Sequence, residues 1–255
     1  MKKLAIFLVF LIALTSCYGQ KKHNNNTVEK ALPDTIESGP YVVKVGNLTT
    51  EGYFENYLPV GNWITYLPSG QIKKLEQYNK DGKLDGPYLL MGRRGYIEEQ
   101  AMYKNGELDG KKLKFGSGGR VLMEEHYKNG LLDGPKIVYY ERGGKKQEES
   151  HYAQGLKEGS TKWFNTEGKL IAEYHYKGGA FEGVNKTYYD NDTLRIEQEY
   201  HNNEASGLYK EYHRNGQLKM EGYYKDGLKS GIWKEYDEDG KLLNETKFKK
   251  GKEVK

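Results

Sequence analysis

The chain has 255 residues, of which 30% are charged and 36% hydrophobic, with 23 Tyr but only 6 Pro and a formal net charge of +4. Its mean hydropathy is −0.90, yet the aromatic content and near-neutral balance argue against disorder and favour exposed β-sheet. Lys and Glu alternate along the whole chain instead of clustering, which excludes a dedicated nucleic-acid binder.

In chain order, Lys2 and Lys3 precede an apolar run from Leu4 to Leu14. That run is too short to span a bilayer and has the form of a signal peptide. It ends in Leu14-Thr15-Ser16-Cys17, which resembles a bacterial lipobox, and Cys17 is the single cysteine. Residues 1–16 are therefore expected to be a lipoprotein leader, with Cys17 as the lipidated first residue of the mature chain. This implies a lipid-anchored envelope protein, with Tyr18 leaning the choice toward the outer membrane. The polar, irregular stretch 18–38 reads as a tether spanning roughly 25 Å as a coil.

From Gly39 to the C-terminus the sequence repeats. A marker glycine recurs at Gly39, Gly61, Gly86, Gly110, Gly134, Gly159, Gly183, Gly207 and Gly231, at intervals of 22 to 25 residues. A period in this range signals a repeat architecture. Five residues after the marker stand Tyr66, Met91, Phe115, Tyr139, Phe164, Tyr188, Tyr212 and Tyr236, with Lys44 in the first unit. Each unit ends in an aromatic: Phe54, Tyr78, Tyr103, Tyr127, Tyr152, Tyr176, Tyr200, Tyr224 and Phe248. Six before it comes an aliphatic in every unit except at Lys146, and three before it a glutamate in all but Leu75 and Gln100.

Asn-Gly and Asp-Gly pairs separate two short runs in each unit, and these dipeptides favour type I′ hairpins. The expected fold is all-β, an elongated or curved single-layer antiparallel meander of about nine 24-residue, two-strand repeats over 39–255. By even and odd counting, the aliphatic and terminal-aromatic columns share one apolar face, and the glutamates lie on a charged face opposite.

Units such as GLYKEYHRNGQLKMEGYYKDG and GIWKEYDEDGKLLNETKFKKG resemble the bacterial variant of the MORN repeat, found in the YwqK-type family often labelled antitoxin. The resemblance implies a β-repeat array without shared catalytic residues. Met91 and Lys146 depart from their columns and put local pairing in doubt there.

Three constellations suggest chemistry and do not carry it. FGSGGR at 115–120 resembles a phosphate loop, but Phe115 and Gly119 belong to repeat columns, so it reads as a hairpin corner with no helix to complete an anion site. His126, His151 and His175 recur in successive units, about 9.5 Å apart, whereas zinc ligands sit about 2 Å from the ion. No metal or cofactor is therefore expected. The glutamate column offers no two distinct environments to separate an acid from a base, so an enzyme is not expected. What remains is a binding scaffold for a protein or glycan, with Tyr127, Tyr152, Tyr176, Tyr200, Tyr139 and Tyr212 as candidate contact residues. The alternatives are an immunity or antitoxin protein that neutralises a secreted toxin, and a membrane-associated spacer.

Overall fold

A computed structural model describes residues 37–254. Cys17, the leader and most of the tether lie outside them. Twenty-two strands form one antiparallel sheet, from Gly39–Val45 to Lys252–Val254. The sheet is a meander: Gly39–Val45 pairs with Leu48–Glu55, which pairs with Leu58–Tyr66, and so on, except that the short strands Glu107–Leu108, Leu156–Lys157 and Ala180–Phe181 share their preceding neighbour with the strand that follows.

Two kinds of turn alternate, and each has a sequence cause. At one rim lie two-residue turns such as Asn129-Gly130, with φ of 50° and 77°. Both central residues are left-handed, as a type I′ hairpin requires. At the other rim, turns such as 213–217 close by Gly216 N–H to His213 O (2.9 Å) and His213 N–H to Gln217 O (2.8 Å). There only Gly216 has positive φ, at 85°. The expectation of type I′ for both kinds is thus corrected. FGSGGR is one of the second kind, closed by Gly116 N–H to Arg120 O at 2.9 Å.

The marker glycines sit where the strand bulges. Leu132 opposes Tyr127 and Lys136 opposes Glu125, so four residues on one strand face two on the other. Gly134 absorbs the kink at φ 116°, a conformation open to glycine and strained for other residues. The terminal aromatic of the same unit lies directly across from it: Gly110 opposes Tyr127, Gly134 opposes Tyr152 and Gly159 opposes Tyr176.

The carboxylate before the marker links units. Backbone N–H groups of Asn105, Asn129, Gln154, Gly178 and Asn202 donate to Asp85, Asp109, Asp133, Glu158 and Glu182 respectively, at 2.8–3.3 Å. The Asn202 amide, helped by His201, holds the Glu182 carboxyl below its ordinary range. Backbone bonds run in parallel, such as Gly130 N–H to Leu108 O at 2.8 Å.

A second register slip, of one residue, precedes the turn 213–217 and its equivalents. Tyr212 opposes Leu218, although Glu211 opposes Met220. The same slip occurs at Tyr66, Met91, Phe115, Tyr139, Phe164, Tyr188 and Tyr236. A slip of one residue moves a side chain to the other face. The aliphatic column therefore leaves the terminal-aromatic face and pairs with the first aromatic column beside the glutamates. Tyr66 and Tyr236 hydroxyls donate to Glu51 and Glu221 at 2.7 and 2.9 Å. The expected division into one apolar and one charged face is corrected accordingly.

Candidate binding surface

The face that carries the terminal aromatics has two rows running across the strands. The outer row alternates these rings with the residue across the type I′ hairpin: Tyr103–Leu108, Tyr127–Leu132, Tyr152–Lys157, Tyr176–Phe181 and Tyr200–Ala205. Inside it runs a central row, two residues further along each strand, and its partners are matched by size or charge. Tyr41 opposes Gly52, Tyr88 opposes Ala101, Thr161 opposes Tyr174 and Tyr209 opposes Gly222.

Large side chains close over this central row. Trp63 is 2% exposed, and Ala101 and Thr161 are fully buried. Rings cluster at both ends. Trp63 lies 5.0 Å from Phe54 and 6.2 Å from Tyr78, while Trp233 lies 5.1 Å from Tyr224 and 5.3 Å from Tyr209. A third cluster joins Trp163, Tyr174, Phe181, Tyr176 and Tyr200 at 4.8–5.5 Å.

Between these clusters the rows change chemistry. Lys112 opposes Glu125 in the central row, with Lys136 on Glu125's other side. Lys112 Nζ lies 3.2 Å from Glu99, Lys136 Nζ 3.2 Å from Glu125 and Lys157 Nζ 3.1 Å from Glu148. Glu125 is 6% exposed. Burial would depress the Lys136 ammonium, but Glu125, Tyr152 and Glu148 together outweigh it and the net shift is upward. Lys157 also sits 4.9 Å above the Trp163 ring and 5.1 Å above Tyr176, a cation–π arrangement.

Half-buried tyrosines roof this network. The Tyr127 hydroxyl donates to Glu125 at 2.9 Å. Burial, then Glu99 and Glu76, push Tyr103 up to about 12. Burial likewise raises Tyr127, Tyr152, Tyr176 and Tyr200. All stay neutral phenols near pH 7, each with a hydroxyl able to donate.

Of the sequence-derived candidates, Tyr127, Tyr152, Tyr176 and Tyr200 thus share one row. Tyr139 and Tyr212 stand on the opposite face, among glutamates and half-exposed aliphatics, and do not join them. That opposite face changes along the chain. Ile64, Leu89, Leu113 and Ile137 line its middle in the N-terminal units. In the C-terminal units Lys162, Lys186, Lys210 and Lys234 replace them, each opposite a glutamate.

The histidines are dispersed. His126 Nε2 lies 3.3 Å from Glu124, His175 Nδ1 lies 2.7 Å from Val184 O, and His151 is exposed. Among the described residues, no group of three or more His, Cys, Asp or Glu is placed to hold a metal. Sequence reasoning missed Glu99, Lys112, Glu125, Lys136, Glu148 and Lys157. The signal was present: the position two after the marker reads Tyr41, Trp63 and Tyr88, then Lys112 and Lys136.

The molecule is therefore a single-sheet β-repeat array with a ring-lined face that is charged at its centre. Residues 59–84, 157–177, 181–202, 205–226 and 229–250 match the MORN repeat variant. The stretch between the first two segments keeps the same strands and register. A search of curated proteins returns no match.

Proposed function

We propose that the array is a non-catalytic binding scaffold whose partner, a protein or a glycan, docks on the tyrosine row over residues 99–176. The observation that carries this reading is the Lys–Glu network beneath Tyr103, Tyr127 and Tyr152. Equivalent positions elsewhere hold Trp63, Ala101, Gly222 and Trp233, with a buried carboxylate only at Glu76 opposite Trp63, so the fold does not require a cross-strand Lys–Glu pair there. Buried ion pairs are weak contributors to stability, and apolar replacements of matched volume are often neutral or better. Charges kept at that position are better explained by recognition. Tyrosine supplies rigid contact area and a hydroxyl with little entropy to lose.

The lipobox-like stretch at Cys17 supports an envelope lipoprotein held close to a membrane by its tether. The resemblance to the YwqK-type family supports a narrower version, an immunity protein whose target toxin acts in the envelope.

The test compares the wild-type protein with Glu125→Leu/Lys136→Met, used as bait against an envelope extract and on an array of bacterial glycans. The double variant should keep its melting temperature within about 3 °C, since the replacement is volume-matched, and lose the captured partner. Equal capture by both proteins would sink the proposal.

A further inference from the structure

The rim bearing the turns 92–95, 116–119, 140–144, 165–168, 189–192, 213–216 and 237–240 changes sign along the chain. Its N-terminal part carries Arg93, Arg94, Arg120 and Arg142, all exposed, with Glu141 beside the last, and among the described residues none of these guanidinium groups has a partner. Its C-terminal part carries Asp190, Asp192, Asp237, Glu238 and Asp239. Asp190 contacts Arg214, and Asp192 lies 3.7 Å from Lys169. Asp237 Oδ1 accepts the Asp239 and Lys241 N–H groups at 3.1 and 2.8 Å. The Glu238 and Asp239 carboxylates are exposed and, among the described residues, unpaired.

Repeat spacing makes this polarity self-complementary. Counted from 92–95 to 237–240, the turn at Gly168 has three turns on either side; the turns 46–47 and 67–70 of the same rim lie beyond them. At about 9.6 Å per two-strand unit, the arginine pair and the carboxylate pair each lie roughly 29 Å from it. A two-fold axis through that turn sets 92–95 of one copy against the acidic 237–240 of the other, 140–144 against the acidic 189–192, and 116–119 against 213–216. Such an axis requires every contact to occur twice, with roles exchanged.

We infer that a second copy of this chain docks along this rim, Arg93 and Arg94 of each copy meeting Glu238 and Asp239 of the other. In the same arrangement Arg142 faces the 189–192 turn. Two like-charge approaches oppose it: Glu167 meets its own copy at the axis, with Lys169 beside it, and Arg120 faces Arg214, which Asp190 already engages. Behind the turns Met91, Phe115 and Tyr139 remain half-buried and add apolar area to the contact. This inference is independent of the tyrosine face.

Sedimentation equilibrium of the purified protein at about 20 mM and about 300 mM salt tests it, because screening shortens from about 20 Å to about 6 Å over that range. A dimer is expected at low salt and monomer at high salt. Arg93→Glu/Arg94→Glu should weaken dimerisation at low salt at least about ten-fold, as should Glu238→Arg/Asp239→Arg, since each exposed pair contributes modestly but recurs. An equimolar mixture of the two variants should dimerise like the wild type, every contact again being of opposite sign. Wild-type monomer at low salt, or a mixture that stays monomeric, overturns the inference. So does loss of binding to phosphatidylglycerol vesicles by the arginine variant with its oligomeric state unchanged, which would make the rim a membrane contact.

Discussion

At the scale of single residues, the array is governed by what a neighbouring ring leaves room for. Gly222 has no left-handed φ, so the backbone alone would accept any residue there. A Cβ on it would nevertheless lie 2.2 Å from the Trp233 ring, closer than any real contact. Gly52 stands in the same relation to Trp63 at the other end of the sheet. Gly222→Ala should therefore displace the indole and lower stability by about 1–3 kcal/mol, the usual range for overpacking. Chemical denaturation followed by tryptophan fluorescence checks this, with the emission of the native state also expected to shift. An unchanged midpoint and spectrum would show that the ring is not held against the glycine. The residue column was visible in the sequence as an alternation of large and small, but its partner was not. Gly222 and Trp233 are eleven positions apart, and the bulge between them decides which side chains meet.

At the scale of the hairpin, each unit is tied to the next by the same small set of bonds. A carboxylate before the marker accepts the next turn's amide, and a turn glycine donates to the preceding unit's carbonyl. Deleting Gly110 to Asp133 joins Asp109 to Gly134, and Asp109 then stands where Asp133 accepted Gln154 N–H. Each remaining unit keeps its neighbours, so the shortened chain should stay β-structured, because repeats contact only the units beside them. Circular dichroism with a denaturant titration is the check. A strand spectrum with a lower unfolding slope, reflecting less surface exposed, is expected; a coil spectrum would mean that the sheet folds only as a whole. The hairpins themselves were legible, since Asn-Gly and Asp-Gly turns and period-two strands are local signals. Their two turn classes were not separated, because both use glycine at positive φ and differ only in the residue before it.

At the scale of the whole molecule, none of the described residues forms a helix long and apolar enough to cross a membrane. The envelope assignment therefore stands on Cys17. Cys17→Ala should move the protein from the membrane fraction to the soluble fraction after a salt wash, measured by immunoblot. Retention in the membrane fraction would remove the lipid anchor from the proposal. The array would still be a scaffold, since the tyrosine row and its charged floor do not depend on where the chain is held.

The sequence by itself determined the class of structure: a repeat of about 24 residues, two strands per repeat, and turns at the glycines. Those follow from backbone conformations that each short stretch adopts on its own account. Only the tertiary structure decided the faces. Two register slips per unit, one of two residues and one of a single residue, are invisible to even-and-odd counting, and the single slip reverses a side chain's direction. It left the aliphatic column beside the glutamates, whereas Tyr139 and Tyr212, five residues after their marker glycines, face away from Tyr152 and Tyr224 by strand alternation alone. The charged floor under the tyrosines needed the pairing register, which decides which lysine meets which glutamate. Lys136 and Glu125 are ordinary surface residues as letters; cross-strand register places their charges 3.2 Å apart under a roof of rings.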